Sequence, residues 1–323
     1  MRIDPAIAAL QADGGLQRRA QAAMVATSEA WRADPAAASA VVELERFGAG
    51  APLEDCPALE ALFTGPDAAP ALTGSLCRHL IGALAEQPLG HPAMRHAFDG
   101  SVSTLLLARS GRAQLILHAR EPGEAAFTTV SFSDALRYEA VLAGEAQARI
   151  VRPTLGPAAR ERPFHQEAMR LHAGTRLALD LASEALQVLA TTRRLVSLRL
   201  HRFAAEPEPS RDLRLADGAL LHQAAGSIRT SRQEMMLALL GRMEVAEAAP
   251  MMAEMALEEG DTSLRWQALR QCLALDTAAG FGALATLARR VDDALAEPAG
   301  ALRAQLVEAH PQLLSLENAL CPE

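Results

Sequence analysis

The stretch that decides the fold is "RYEAVLAGEAQARIVR", residues 137–152. Apolar and charged residues alternate on both sides of Gly144, the period-2 pattern of a strand with one covered face. We read two strands here, "RYEAVLAG" and "EAQARIVR", meeting at the glycine. Outward in both directions the texture persists. "SVSTLLLAR" (101–109) and "AQLILHAR" (113–120) flank Ser110-Gly111-Arg112, a short hairpin signal. "AAFTTVSF" follows, and beyond a connection come "TRLALD" (175–180), "EALQVLAT" (184–191), "RLVSLRLHRF" (194–203) and "RDLRLADGALLHQ" (211–223). That makes nine or ten short strands with no room for long crossover helices, so an antiparallel sandwich or barrel is expected.

Helical texture lies on either side. The sequence divides into a helical N-terminal region (1–97), a β-region (98–226) and a second helical region (227–323), an α+β chain. "LQRRAQAAMVATSEAWRA" suits a helix ending before Asp34-Pro35. "AAASAVVELERFG" suits another, with Gly48 as its stop, and Thr73 or Ser75 reads as a cap for "TGSLCRHLIGALAEQ". "HPAMRHAF" (91–98) reads as a short turn, with His91 and His96 at a surface. C-terminally, Ser231 and Glu234 have capping-box spacing. Arg232, Met236 and Leu239 fall under Arg265, Leu269 and Cys272 at a shift of 33, a period typical of stacked helical hairpins. The last helix is expected within 300–320. The methionines of "EMMLALLGRM" and "PMMAEM" read as core.

Composition narrows the function classes. Half of the 323 residues are apolar, 22% are charged and the net charge is −8, a globular balance that disfavours a nucleic-acid binder. All the positive charge is arginine, the pattern of a GC-rich bacterial coding sequence. Aromatic residues are only 3%, too few for a base- or sugar-stacking platform. No run of eighteen apolar residues suggests a membrane span. "MRIDPAIAALQADGG" lacks the apolar core of a signal peptide, and Cys56, Cys77, Cys272 and Cys321 show no CxxC spacing. They fit buried, reduced thiols in the cytoplasm. There is no nucleophile elbow, phosphate loop or HExxH motif.

Two resemblances follow from the quoted motifs. "RYEAVLAGEAQARIVR", through Val141, Leu142, Gly144, Glu145 and Ala146, resembles the first block of a cupin. "HAGTRLALDLASEALQVLAT" (172–191), anchored on Gly174, resembles the second. The resemblance implies a cupin-like sheet over residues 99–205. It also implies where metal ligands would stand, and none is there. The glutamate position falls at Arg137, the paired histidines within "VSFS" (130–133), and the last histidine at Leu177. An arginine would repel a divalent cation, so the usual metal site is expected to be absent. "EEGDTSLRWQALRQCLALD" (258–276) resembles a HEAT repeat through Asp261, Arg265, Ala268, Leu269 and Asp276, which implies stacked helix pairs that bind a protein partner.

The candidate sites divide accordingly. His118, Arg137, Arg199 and His201 lie in strands. A lone strand histidine is more often solvated, but if these four face inward together they form a basic interior suited to an anionic small molecule. The alternative is a relocated divalent metal (Fe, Zn, Mn or Ni) at His165, Glu167, His172 and His201 or His222, serving an oxygenase-like enzyme. On the other reading, His165, Glu167 and His172 are solvated residues in the connection before "TRLALD". The missing cupin ligands favour a non-enzymatic binding or regulatory protein without a cofactor.

Overall fold

The computed structural model describes residues 14–156 and 162–314. The expectations for residues 1–13, for 315–320 of the last helix and for Cys321 lie outside the described residues. Two compact units account for the chain, residues 1–207 with 211–222, and 208–210 with 223–323.

The first unit opens with helices α1 (Gly15–Arg32), α2 (Ala38–Ala49), α3 (Pro57–Thr64) and α4 (Ala68–Glu86). Thr73 and Ser75 lie inside α4 and cap nothing. Thr73 Oγ1 donates back to the Ala69 carbonyl at 2.8 Å, a bond a helix interior allows. Gly48 is likewise not a stop, because α2 runs to Ala49. Its value is its missing side chain, since a Cβ there would lie 2.1 Å from the Ser110 carbonyl oxygen. The helix packs directly on the β-hairpin that Ser110 ends.

Eleven strands follow among the described residues: β1 (His96–Phe98), β2 (Val102–Ser110), β3 (Ala113–Arg120), β4 (Gly123–Glu124), β5 (Thr129–Phe132), β6 (Ala135–Pro153), β7 (Phe164–His172), β8 (Arg176–Asp180), β9 (Ala185–Phe203), β10 (Ser210–Arg214) and β11 (Leu220–Ala224). The short turn expected over 91–98 is therefore partly strand. The larger sheet runs β1-β2-β3-β9-β6-β7, with β8 paired to β6 and β4 to β9; a smaller sheet runs β11-β10-β5. The pairings within the larger sheet, and that of β10 with β5, are antiparallel, as the sequence pattern requires.

Gly144 does not turn the chain back. The two strands expected on either side of it are one, β6, and the two expected over 184–203 are likewise β9. These 19-residue strands pair along their length, with register irregularities between Val141 and Ala148. Gly144 has φ +89°, and a Cβ on it would lie 2.1 Å from the Arg194 carbonyl oxygen. It is a bulge glycine that bends a continuous strand rather than ending it. Gly174 does make the expected turn, between β7 and β8, where Thr175 Oγ1 accepts from the His172 amide.

Alternation then assigns the two faces of the sheet. Leu107, Leu115, Ala140, Leu198 and Leu200 share one core with Trp31, Phe47, Leu59, Leu62 and Leu72 of the helices. Three arginines help fasten this unit: Arg202 donates to the Ala51 carbonyl at 2.6 Å and lies over the Phe47 ring, Arg176 donates to the Gly65 carbonyl, and Arg112 to that of Phe203. Val130 and Phe132 of the smaller sheet pack with Val151, Phe164 and Ala185.

The second unit contains α5 (Ile228–Arg242), α6 (Ala249–Leu257), α7 (Thr262–Leu275), α8 (Thr277–Ala288) and α9 (Ala296–Ala309). Ser227, not Ser231, caps α5, accepting from the Thr230 amide, and Glu234 instead accepts from Ser263. Asp261 and Asp276 cap α7 and α8. Arg265 is buried, forked on Asp293 at 3.2 and 2.5 Å. The expectation that the methionines are core fails at Met235, Met236, Met243 and Met251, which are exposed; Met252 is buried. Alternate helix faces of one methionine-rich run cannot all reach the same core. Cys56 and Cys272 are buried, but Cys77 is exposed. Among the described residues, no helix is long and apolar enough to cross a membrane.

Candidate functional site

The face of the larger sheet opposite the helices carries charge. Register places Arg137 opposite His201, Glu139 opposite Arg199, and Ser197 opposite His118, on β6, β9 and β3. Because residues i and i+2 share a strand face, Arg137 and Glu139 point together, as do Ser197, Arg199 and His201. The four residues expected to form a basic interior are thus brought onto one face and covered, His118 being 4% exposed.

Glu139, fully buried, is the centre of the cluster. Its Oε1 accepts from Ser197 Oγ at 2.6 Å and lies 2.9 Å from Arg199 Nε, while Oε2 lies 3.6 Å from Arg137 Nε. Burial pushes its carboxyl up, but Arg199, then Arg137, and hydrogen bonds from Ser197 and Arg199 outweigh this and hold it down at about 2. Burial, followed by the nearby arginines, depresses both histidines to about 3, so both are neutral at pH 7. Arg137 is lowered by burial and by Arg199 to about 10 and keeps its charge.

The positive charge exceeds the negative. Arg137 and Arg199 face one carboxylate; half-buried Arg120 joins from β3, its charge offset in part by Asp99 and Glu139. Several buried polar atoms have no hydrogen-bond partner among the described residues: the donors Arg137 Nη2 and Arg120 Nε, the ring nitrogens His201 Nε2 and His118 Nδ1, each donor or acceptor according to tautomer, and the acceptor Glu139 Oε2. Buried donors without acceptors cost about 1–3 kcal/mol each, more when charged. Glu139, Ser197 and Arg120 escaped the sequence reading. The signal was present, since Glu139 stands two residues from Arg137, but alternation does not say which face is covered.

The metal alternative finds no support in the geometry. His165, Glu167 and His172 are not in a connection; they belong to β7, paired with β6. All three are exposed, as is His222 on β11. Glu167 is ion-paired with Arg152 at 2.7 Å, and His172 Nδ1 lies 2.9 Å from the Ala173 carbonyl oxygen. Among the described residues, no group of three or more His, Cys, Asp or Glu side chains is placed to hold a metal ion. Three candidate ligands within a short stretch do not make a site when strand pairing points them at solvent and at an arginine. His91 and His96 are exposed, as expected.

No protein-family model matches the chain, and no curated protein matches it. Among solved structures, a cupin superfamily protein from Desulfitobacterium hafniense is similar over 33% of this chain and 83% of that one, at 17% identity and a TM-score of 0.24. Ectoine synthase from P. lautus is similar over 33% and 67%, at 11% identity and 0.24. The 7S globulin of Momordica charantia is similar over 39% and 36%, at 13% identity and 0.27, so this chain matches about a third of that protein's length. At such TM-scores the likenesses carry no argument about chemistry. The α+β fold with antiparallel sheets stands on the strand order and register above.

Proposed function

We propose that this protein is a binding or regulatory protein whose sheet holds a small anionic molecule among Arg137, Arg199, His118 and His201, without a metal cofactor. The observation that carries the reading is the excess of buried arginine charge around the single carboxylate of Glu139, with Arg137 Nη2 and Arg120 Nε left without acceptors. Glu139 cancels part of the arginine charge, and an anion completes the balance while accepting from Arg137 Nη2 and His201 Nε2. Each neutral histidine has one ring N–H to donate and one nitrogen that accepts, and neither is a proton carrier, because a group held at about 3 gives up no proton near pH 7. The C-terminal helices, HEAT-like in the spacing of Asp261, Arg265, Ala268, Leu269 and Asp276, take the role of contacting a protein partner.

Thermal unfolding with inorganic phosphate, sulfate, malonate or citrate tests the anion site. At a hundredfold excess over Kd, a bound anion adds about 2.7 kcal/mol to stability. The expected result is a rise in Tm with at least one of these anions that Arg137→Met removes. If none of them shifts Tm at constant ionic strength, or if the variant responds like the parent, the reading is wrong.

A further inference from the structure

A second, chemically different site lies within the C-terminal unit. A cleft of about 680 Å³ opens between α7, α8 and α9, a size ordinary for small-molecule sites. Its walls are apolar, with Trp266 and Leu273 of α7, Phe281 of α8 and Leu306 of α9. Two basic side chains share the lining, Arg270 and His310, and no aspartate or glutamate does, in a chain whose net charge is −8. Arg270 is exposed and has no ion pair or hydrogen bond among the described residues. An apolar cleft with an unengaged guanidinium fits an amphipathic anion, since the tail is sheltered by the walls and the head group forms a charge-assisted pair.

We propose that this cleft binds a medium-chain carboxylate, its alkyl tail against Trp266, Leu273, Phe281 and Leu306 and its head group on Arg270. The site is independent of the anion site on the sheet, and the two are separately testable. The charge decides the ligand class: a neutral lipid would forgo the charge-assisted pair with Arg270, and a cation would be repelled.

Calorimetric titration of the full chain with octanoate, decanoate and dodecanoate, each below its micelle concentration, tests this. A buried methylene is worth about 0.8 kcal/mol, so affinity should rise roughly fourfold per added carbon. Arg270→Ala should weaken dodecanoate binding tenfold or more, and dodecan-1-ol should bind the parent more weakly by a similar factor. Ala274 is exposed on the cleft wall, so Ala274→Trp fills the cleft without disturbing the core and should abolish binding. Affinity independent of chain length, or equal in both variants and the parent, overturns the proposal. Binding that appears only after removal of residues 315–323 overturns it too, because the chain's own end would then be the occupant.

Discussion

Replacing Glu139 by glutamine removes one charge and almost no volume from the middle of the larger sheet. The amide oxygen can still accept from Ser197 Oγ, so the perturbation is largely electrostatic. Two routes give its size. Breaking a buried ion pair by removing one partner costs about 3–5 kcal/mol, because the remaining charge is left buried and uncompensated. Independently, a carboxyl that titrates at about 2 in the fold and 4.5 in the unfolded chain contributes roughly 3 kcal/mol at neutral pH. The sign follows from the depressed value: this stability is present in full above pH 4.5 and is lost as pH falls toward 2. Urea unfolding at pH 7 measures it. The two tryptophans are Trp31, buried in the first unit's core, and Trp266 of α7. In a Trp266→Phe background, fluorescence reports the first unit alone, which avoids averaging two units into one transition. Glu139→Gln should lower the midpoint by about 3 kcal/mol divided by an unchanged m-value. Adding Arg199→Met to it should restore part of the loss, since the repulsion between Arg137 and Arg199 is relieved. A loss below about 1 kcal/mol, or no recovery in the double variant, would refute the picture of Glu139 as the counter-charge of two arginines.

Three further outcomes are expected. His118 and His201, held at about 3 against an ordinary 6.5, bind protons only in the unfolded chain between those values, so stability should fall below pH 6.5 by up to about 2.7 kcal/mol per pH unit; urea midpoints measured from pH 7 to 5 should flatten in the His118→Gln, His201→Gln double variant. Gly48→Ala forces a methyl carbon against the Ser110 carbonyl and should cost about 1–3 kcal/mol, read as a lower Tm; an unchanged Tm would mean that α2 and the β2–β3 hairpin are not packed as described. Arg265→Leu leaves Asp293 without its forked partner and should destabilise the second unit by about 3 kcal/mol, seen in the unfolding of a Trp31→Phe variant, whose remaining tryptophan lies in that unit.

Much of the fold was legible locally. The β2–β3 hairpin at Gly111, the turn at Gly174 and the end of α1 before Asp34 depend on turn and breaker chemistry that a few neighbouring residues set. Gly144 and Gly48 were misread as punctuation because sequence marks a glycine without saying what approaches it. In the structure those are the carbonyls of Arg194 and Ser110, distant in the chain. The methionines of α5 were misread for the related reason that helical spacing does not reveal whether a partner covers the face.

The candidate site shows the same division. The sequence by itself determined that His118, Arg137, Arg199 and His201 fall at strand positions, and that the cupin ligand positions hold no ligands. Those missing ligands favoured that cluster over the denser-looking run His165, Glu167, His172, but did not say whether its side chains face inward together. The tertiary structure shows how differently the two groups are placed. Pairing of β6 with β9 and of β9 with β3 gathers the arginines and histidines around one buried carboxylate, while pairing of β6 with β7 turns the other run to solvent and gives Glu167 to Arg152. Burial makes the difference, because the same charges interact strongly where water is excluded and weakly where it is not.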